Sequence, residues 1–165
     1  MFNPATWFST LPPEIAVLLL SMIPVTELRA AIPIGIEVYN IIWWKVWIYA
    51  VIGDFIPAIF ILYAVPRMHD WLLQQKFIGA VFRKKIEQAQ KAFQGKYAKY
   101  GAIALVVFVG IPLPLTGSWT GSLAAFIFNI PFKKSWPLIF VGVCMAATLV
   151  TLITLFAGGA IRVLF

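Results

Sequence analysis

Apolar residues fill two long stretches of the chain, at positions 46–65 and 137–157, with Asp54 as their one charged residue. An α-helix needs about 20 apolar residues to cross a bilayer core that is about 30 Å thick. Both stretches have this length. We therefore predict that each of them forms a membrane-spanning helix.

Two further apolar regions, at positions 14–44 and 102–131, are interrupted by prolines. Proline removes a helical hydrogen bond and clashes with the preceding turn. The apolar pieces that remain have about 9 to 15 residues, a length typical of re-entrant or interfacial segments. We predict two helical hairpins that dip into the bilayer. The alternative is that both regions cross it completely. The residues predicted to break the hairpins are Pro24, Pro33, Pro112 and Pro114.

Corresponding residues recur in the two halves of the chain at a nearly constant spacing. Ile23–Pro24 reappears as Ile111–Pro112, which lies 88 residues later. The residues with counterparts 89 positions later are Asn40, Lys45, Trp47 and Gly53, matched by Asn129, Lys134, Trp136 and Gly142. Chance similarity between apolar segments is the alternative. We interpret the matches as two repeats in an all-α integral membrane protein, each repeat being a re-entrant helical hairpin followed by a transmembrane helix.

Positive charge is concentrated between the two repeats. Positions 67–99 carry a charge of +6 out of the net +7 of the whole chain. Apolar residues recur there at helical spacing, which predicts a basic amphipathic helix over residues 66–99. The positive-inside rule makes this linker cytoplasmic, and its charge suits an anionic membrane surface. Nucleic acid is the alternative partner of a basic segment, and we predict none.

The cytoplasmic linker also predicts the orientation of the repeats. The first span ends in the linker and the second hairpin begins from it, so the two hairpins open to opposite faces. Inverted repeats of this kind are common in secondary transporters. The expected organisation is a single membrane domain, residues 1–165, with one repeat at 1–65 and the other at 100–165.

The composition agrees with a membrane protein, and it argues against a disulfide-stabilised fold, a metal site and a nucleotide-driven pump. Hydrophobic residues make up 62% of the chain and charged residues 12%, compared with about 25% charged residues in an average soluble domain. The one cysteine, Cys144, cannot form an internal disulfide, and no cysteine or histidine cluster has metal-ligand spacing. No phosphate-binding G-x-x-x-x-G-K-[ST] loop occurs either. We predict no metal and no cofactor.

Charged residues inside the apolar segments are the candidates for chemistry. Glu27 and Arg29 lie in the first hairpin, Glu37 follows them, and Asp54 lies near the middle of the first span. An acid at the centre of a membrane helix costs about 2.5–3.5 kcal/mol on insertion scales, and such acids mark proton relays. We expect Asp54, Glu37 and Glu27 to couple transport to protons. The alternative is a structural pair between Arg29 and one carboxylate.

The hairpin tips are the expected substrate site. A returning half-helix exposes unsatisfied backbone N–H groups, which attract anions. At the first tip, Thr26 is a candidate helix cap, and the Arg29 guanidinium suits a phosphate or a carboxylate. The second tip offers hydroxyls and glycine backbone from Thr116, Gly117, Ser118, Trp119, Thr120 and Gly121. Two such tips meeting near the bilayer midplane would enclose one polar cavity.

The stretches "ELRAAIPIGI" and "GIPLPLTGSWTG" resemble the small multidrug export protein family, and this resemblance spans essentially the whole chain. More remotely, the layout is similar to the DedA (SNARE-associated Golgi, or VTT) superfamily. The remote likeness implies paired re-entrant hairpins with membrane acids and arginines, used for proton-dependent transport of lipids or lipid phosphates. The second tip departs from that pattern because it has no arginine.

These features predict a proton-coupled secondary transporter or flippase of an amphiphilic or anionic substrate, which includes lipid phosphates. The expected location is the inner membrane of a prokaryote. With only two spans, the chain is expected to form a homodimer that completes the path through the bilayer. The first alternative is a membrane scaffold whose buried charges are structural. The second is a membrane enzyme, for which the chain offers no His/Asp/Ser set.

Overall fold

The structure, a computed structural model, describes residues 11–73, 97–112, 116–128 and 130–164. These residues form helices and short connections, with no strand among them, which confirms the all-α prediction. The helices are α1 (Pro13–Met22), α2 (Glu27–Pro33), α3 (Trp43–Leu73), α4 (Tyr97–Gly110), α5 (Ser118–Ile127) and α6 (Phe132–Leu164). A π-helix, Ile34–Val38, continues α2. Most of the predicted linker helix (residues 74–96), Pro114 and Asn129 lie outside the described residues.

Two of the helices are long and apolar enough to cross a membrane, within Trp43–Val65 of α3 and Phe132–Ala157 of α6. Both begin a few residues before the apolar stretches in the sequence. Their first turns contain lysine and tryptophan, which a membrane helix accommodates at the water interface. Counting apolar residues alone therefore places the helix starts too late.

The outward faces of α3 and α6 are apolar. Phe60 on α3 is 69% exposed and Phe156 on α6 is 76% exposed. A surface helix of a soluble protein carries polar residues on its outer face, whereas a helix that is hydrophobic all round belongs in a core or in a bilayer. These exposed faces fit contact with lipid.

The two long helices pack against each other and run antiparallel. The Trp47 indole N–H donates a hydrogen bond to the Thr148 hydroxyl at 3.2 Å. Further along α3, the Phe55 ring packs edge-on against the Phe140 ring, with centroids 5.1 Å apart. The contact point moves forward along α3 and backward along α6, so the helices point in opposite directions.

Helix α1 packs closely on the middle of α3 at Gly53. A Cβ atom at Gly53 would collide with the Ser21 hydroxyl oxygen and with the Leu18 carbonyl oxygen. Glycine at such a position lets two helix backbones approach, as in many membrane helix pairs. Glu14, near the start of α1, lies 3.9 Å from Lys45, near the start of α3. The two helices therefore run parallel.

Helix α4 packs on α6 in the same manner. A Cβ atom at Gly142 would lie 2.7 Å from the Val109 Cβ and 3.1 Å from the Val106 carbonyl oxygen. Val106 and Val109 lie 88 positions after the α1 residues that approach Gly53, and Gly142 lies 89 positions after Gly53. Equivalent positions of the two halves thus make equivalent helix contacts.

Pro33 does not end the helical segment, contrary to its predicted role as a breaking residue. The chain continues from α2 into the π-helix, where the Tyr39 N–H donates to the Ile34 carbonyl at 3.0 Å. Proline removes one donor from the helix, and a change in hydrogen-bond register directly after it keeps the segment helical. Asn40, with a φ of 53°, lies just after the π-helix. Asparagine is one of the few non-glycine residues that adopt this conformation readily.

Fully buried apolar side chains join the helices into one core. The largest of them are Val17 and Leu20 of α1, Ile32 of α2, Val46 of α3, Val109 of α4, and Ile139 and Val143 of α6. The core lies around the α3–α6 pair, and α2 and α5 are held against it. This arrangement places the chain turns before α2 and α5 beside the middle of α3.

Candidate functional site

Glu27 is the first residue of α2 and adopts an unusual backbone conformation. Its φ is 45°, in the left-handed region, and its side chain is buried at 7% relative exposure. A non-glycine residue pays about 1–2 kcal/mol for this conformation. Strained residues of this kind cluster at functional sites, where the surrounding structure enforces them. The backbone at Glu27 therefore marks the turn after α1 as a candidate site.

The Glu27 carboxylate lies against the backbone of Gly117, the residue that precedes α5. A Cβ atom at Gly117 would collide with both carboxylate oxygens, so a larger residue there would displace the end of the Glu27 side chain. The first N–H groups of a helix attract negative charge because they have no partner within the helix. The Glu27 carboxylate thus places a negative charge of the protein itself at the start of α5.

Arg29 links the two turns. Its Nη2 atom lies 3.5 Å from Glu27 Oε2 and donates a hydrogen bond to Thr116 Oγ1 at 3.2 Å. The Thr116 hydroxyl in turn donates to the Ile111 carbonyl at 2.9 Å, at the end of α4. The guanidinium therefore joins α2 to the connection between α4 and α5.

Asp54 lies in the middle of α3 at 1% relative exposure. The Ser118 hydroxyl is within hydrogen-bonding distance of Asp54 Oδ1, at 3.1 Å, and of the Asp54 carbonyl, at 2.9 Å. One turn later the Ser122 hydroxyl lies 3.3 Å from the Ala58 carbonyl. The contacts advance in the same direction along both helices, so α5 runs parallel to α3. The first residue of α5, Ser118, lies beside Asp54.

We call Glu27, Arg29, Asp54, Thr116, Gly117 and Ser118 the central cluster. Ser118 contacts Asp54 and the preceding residue, Gly117, contacts Glu27, so the start of α5 connects the two acids. With both acids ionised, the cluster carries one net negative charge. The described lysines lie in the first turns of helices, Lys45 in α3, Lys99 in α4, and Lys133 and Lys134 in α6.

Two residues assigned to the site from the sequence lie elsewhere or act differently. Thr26 occupies the cap position of α2, but its hydroxyl donates to the Leu20 carbonyl at 2.6 Å and does not cap the helix. Glu37 is exposed on the π-helix. It lies ten residues beyond Glu27, or about 15 Å along a helix axis. The structure therefore does not bring Glu37 to the central cluster.

Two residues of the second tip, Thr120 and Gly121, support α5. The Gly117 N–H donates to the Thr120 hydroxyl at 3.0 Å, which satisfies a backbone donor at the helix start. Gly121 packs against Val109, because a Cβ there would collide with that side chain. The Trp119 indole nitrogen is buried and has no hydrogen-bond partner within the described structure.

Ser122 and Ser21 were not predicted from the sequence. Ser122 follows Ser118 by four residues, and this serine spacing on an apolar helix is the signal that could have indicated a polar face toward α3.

Two open apolar grooves on the surface of the helices were also not predicted from the sequence. One, of about 420 Å³, is lined mainly by Phe140, Cys144 and Met145. The other, of about 330 Å³, lies between α3 and α6. Neither is lined by residues of the central cluster.

Comparison with known families gives one match. The model of the family described as "Putative small multi-drug export protein" matches residues 27–149, about three quarters of the chain. The matched region includes every residue of the central cluster. The resemblance drawn from the two sequence motifs is thereby confirmed. No curated protein and no solved structure matches the chain.

Proposed function

The chain belongs to the small multi-drug export protein family, and from this premise we propose that it is a proton-coupled secondary transporter of an amphiphilic small molecule. Membership of this family and the two apolar helices support a role in transport across a membrane, without indicating what drives it. The observation that carries the coupling to protons is Asp54, buried in the middle of α3 against the start of α5, where Gly117 contacts Glu27. Intramembrane acids in such positions mark proton pathways.

The geometry of the first half supports a re-entrant hairpin. Helix α1 has 10 residues and is about 15 Å long, half of a bilayer core of about 30 Å. It starts near Lys45 at the beginning of α3 and approaches α3 again at Gly53, in the middle of the span. The return segment brings Gly35 back beside Val46. A chain that enters and leaves on the same face accounts for these contacts.

The second half supports a hairpin that opens to the opposite face. The first residue of α5 lies beside Asp54, and α5 runs parallel to α3. Helix α2 runs antiparallel to α3. The two return segments therefore extend from the middle of α3 toward opposite ends. Irregular backbone at membrane depth is tolerated where protein covers it or where it lines a cavity. Two tips that meet at Asp54 fit this requirement.

Proton coupling follows from the charges of the central cluster. Glu27 and Asp54 bring two negative charges into a buried region, and Arg29 brings one positive charge. Binding one proton makes the cluster neutral, and releasing it leaves a net negative charge. We assign the exchangeable proton to Asp54, because Glu27 is already paired with Arg29. Glu37, which is exposed, has no place in this scheme.

The two groups that could bind an anionic cargo, the Arg29 guanidinium and the start of α5, are already in contact with Glu27. This favours an amphiphilic cargo over an anionic one. A phosphate or carboxylate would seek the Arg29 guanidinium and the start of α5. The Glu27 carboxylate already contacts both. An anionic cargo would have to displace it. The Glu27–Arg29 pair is also the observation that favours the second candidate function, a membrane scaffold in which the charges only stabilise the helices.

Proton flux in vesicles separates the two functions. The protein is reconstituted with a trapped pH-sensitive dye, and ethidium is added as an amphiphilic probe. We expect ethidium to drive proton movement in the wild type and in Glu14→Gln, an acid outside the central cluster. Asp54→Asn keeps an acceptor for Ser118 and should abolish the movement. Undiminished proton flux in Asp54→Asn would refute the assignment, and a folded wild type with no flux at all would favour the scaffold.

A further inference from the structure

Ser118, the first residue of α5, contacts two oxygen atoms of Asp54. The serine side chain is fully buried, and its Oγ atom lies 2.9 Å from the Asp54 carbonyl oxygen and 3.1 Å from Asp54 Oδ1. Buried polar groups are in general hydrogen-bonded. A serine hydroxyl carries one proton, however, so it can donate fully to one of these two acceptors at a time.

A proton on Asp54 would supply the second donor. A protonated carboxyl group can donate to Ser118 Oγ while the Ser118 hydroxyl donates to the Asp54 carbonyl, so each contact has its own donor. When the proton leaves, the Asp54 carboxylate can only accept. The Ser118 hydroxyl then gains most by turning to Oδ1, because a hydrogen bond to an ionised group is stronger than one to a neutral carbonyl.

The first turn of α5 holds the Ser118 backbone in place. The Ser122 hydroxyl donates to the Ser118 carbonyl at 2.7 Å, and the Gly117 N–H donates to the Thr120 hydroxyl at 3.0 Å. Rotation of the Ser118 hydroxyl about its C–O bond moves no heavy atom. The hydroxyl can therefore change acceptors without a change in the packing of α5 on α3.

The charged groups of the neighbouring helices are arranged around this contact as follows. Within the described residues, α5 has no charged residue, and α2 contributes Glu27 and Arg29, which meet the connection before α5. The acid of α1, Glu14, lies near Lys45 in the first turn of α3. The Cys144 thiol of α6 lines an open groove. The described lysines of α6, in its first turn, are Lys133 and Lys134.

We propose that Ser118 is a positioning residue for the proton of Asp54. Its hydroxyl accepts from the carboxyl group when Asp54 is protonated and donates to the carboxylate when Asp54 is ionised. The serine keeps its own proton in both states, and the start of α5 stays against α3. This assignment rests on the proposed function in one respect, namely that Asp54 takes up and releases a proton, and it requires no cargo.

Infrared difference spectra between acidic and alkaline pH, recorded without cargo, test the assignment. The full chain is reconstituted in phosphatidylcholine membranes, and the C=O stretching band of protonated Asp54 is identified by its loss in Asp54→Asn. Hydrogen bonding to a carboxyl group lowers the frequency of this band. Because Ser118→Ala removes the hydrogen-bonding partner, we expect the band to move to higher frequency in this variant.

Ser122→Ala is the matched control. Ser122 is as buried as Ser118 and lies one turn later on the same face of α5, but its hydroxyl contacts the carbonyl oxygens of Ala58 and Ser118. The Asp54 band should keep its wild-type frequency in Ser122→Ala.

Ser118→Thr and Ser118→Val keep the test decisive if the alanine variant does not fold. These two side chains have the same shape and differ in the hydroxyl. The threonine variant should keep the wild-type frequency, and the valine variant should shift as expected for alanine. An Asp54 band at the wild-type frequency in folded Ser118→Ala or Ser118→Val would overturn the proposal.

The spectra and the proton-flux assay separate this assignment from the proposed function. If the band shifts in Ser118→Ala but ethidium drives no proton flux in the wild type, the role of Ser118 stands and the proposed function fails. If Asp54→Asn abolishes flux but the band does not shift in Ser118→Ala, the role of Ser118 fails and the proposed function stands.

Discussion

The contact between Glu27 and Gly117 joins the turn after α1 to the start of α5, two segments that lie 90 residues apart. The sequence shows that both residues are unusual for an apolar chain, because one is charged and the other is a glycine before a helix. It does not show that they meet, since that contact depends on how α2 and α5 pack around α3. Thr26 illustrates the same limit. A cap was expected from its position, but its hydroxyl finds the Leu20 carbonyl across the turn.

Gly117→Ala tests this contact at the residue scale. The added methyl group displaces the Glu27 carboxylate from the start of α5, and losing a charge at a helix N-terminus typically costs about 0.3–1 kcal/mol. We expect a lower midpoint of thermal unfolding in detergent. Combining it with Glu27→Asp, which shortens the side chain, should recover part of the loss. An alanine variant as stable as the wild type would show that Glu27 does not lie against this backbone.

At the scale of helices, the sequence predicted what depends on local composition and missed what depends on packing. The apolar stretches indicated α3 and α6 because the length of a membrane helix is a property of one segment. The spacing of Gly53 and Gly142 indicated a repeat. The place of Glu37 was not predictable, because it depends on the continuation of α2 past Pro33 as a π-helix.

Gly53→Ala and Gly142→Ala test the close helix contacts. Alanine gains up to about 1 kcal/mol over glycine in a helix interior. At both positions the new Cβ meets the backbone of a neighbouring helix, which cannot move aside as a side chain can. We therefore expect net destabilisation of about 1–3 kcal/mol, measured by thermal unfolding.

The control for the glycine variants is Gly110→Ala, whose Cβ would lie 3.1 Å from the Met145 Cε and 3.4 Å from the Gly142 carbonyl oxygen, an ordinary van der Waals contact. Methionine is flexible and adapts to small changes in packing. This variant should unfold close to the wild-type midpoint. Stabilisation of Gly53→Ala by the helix propensity alone would contradict the packing of α1 on α3.

For the whole molecule, the packing of the two halves supports the inverted arrangement that the charge distribution predicted. Helices α3 and α6 are antiparallel, so their first turns lie at opposite ends of the helix pair. Lys45 and Lys133 occupy those first turns. The proposal therefore places these two lysines on opposite sides of the membrane.

Cysteine labelling in intact cells tests this orientation. In a Cys144→Ser background, Lys45→Cys should react with a membrane-impermeant maleimide from outside. Lys133→Cys should react only after the membrane is permeabilised, because the positive-inside rule places it in the cytoplasm. Labelling of both variants from the same side would contradict the inverted orientation of the repeats.

We propose that Asp54 exchanges a proton when cargo binds, and infrared difference spectroscopy detects the protonation of a carboxyl group. Spectra of the reconstituted protein with and without ethidium should show a change in a protonated carboxyl band. We expect this change in the wild type and in Glu14→Gln and no such change in Asp54→Asn. A ligand-induced carboxyl change of wild-type size in Asp54→Asn would assign the proton to another group and contradict the mechanism.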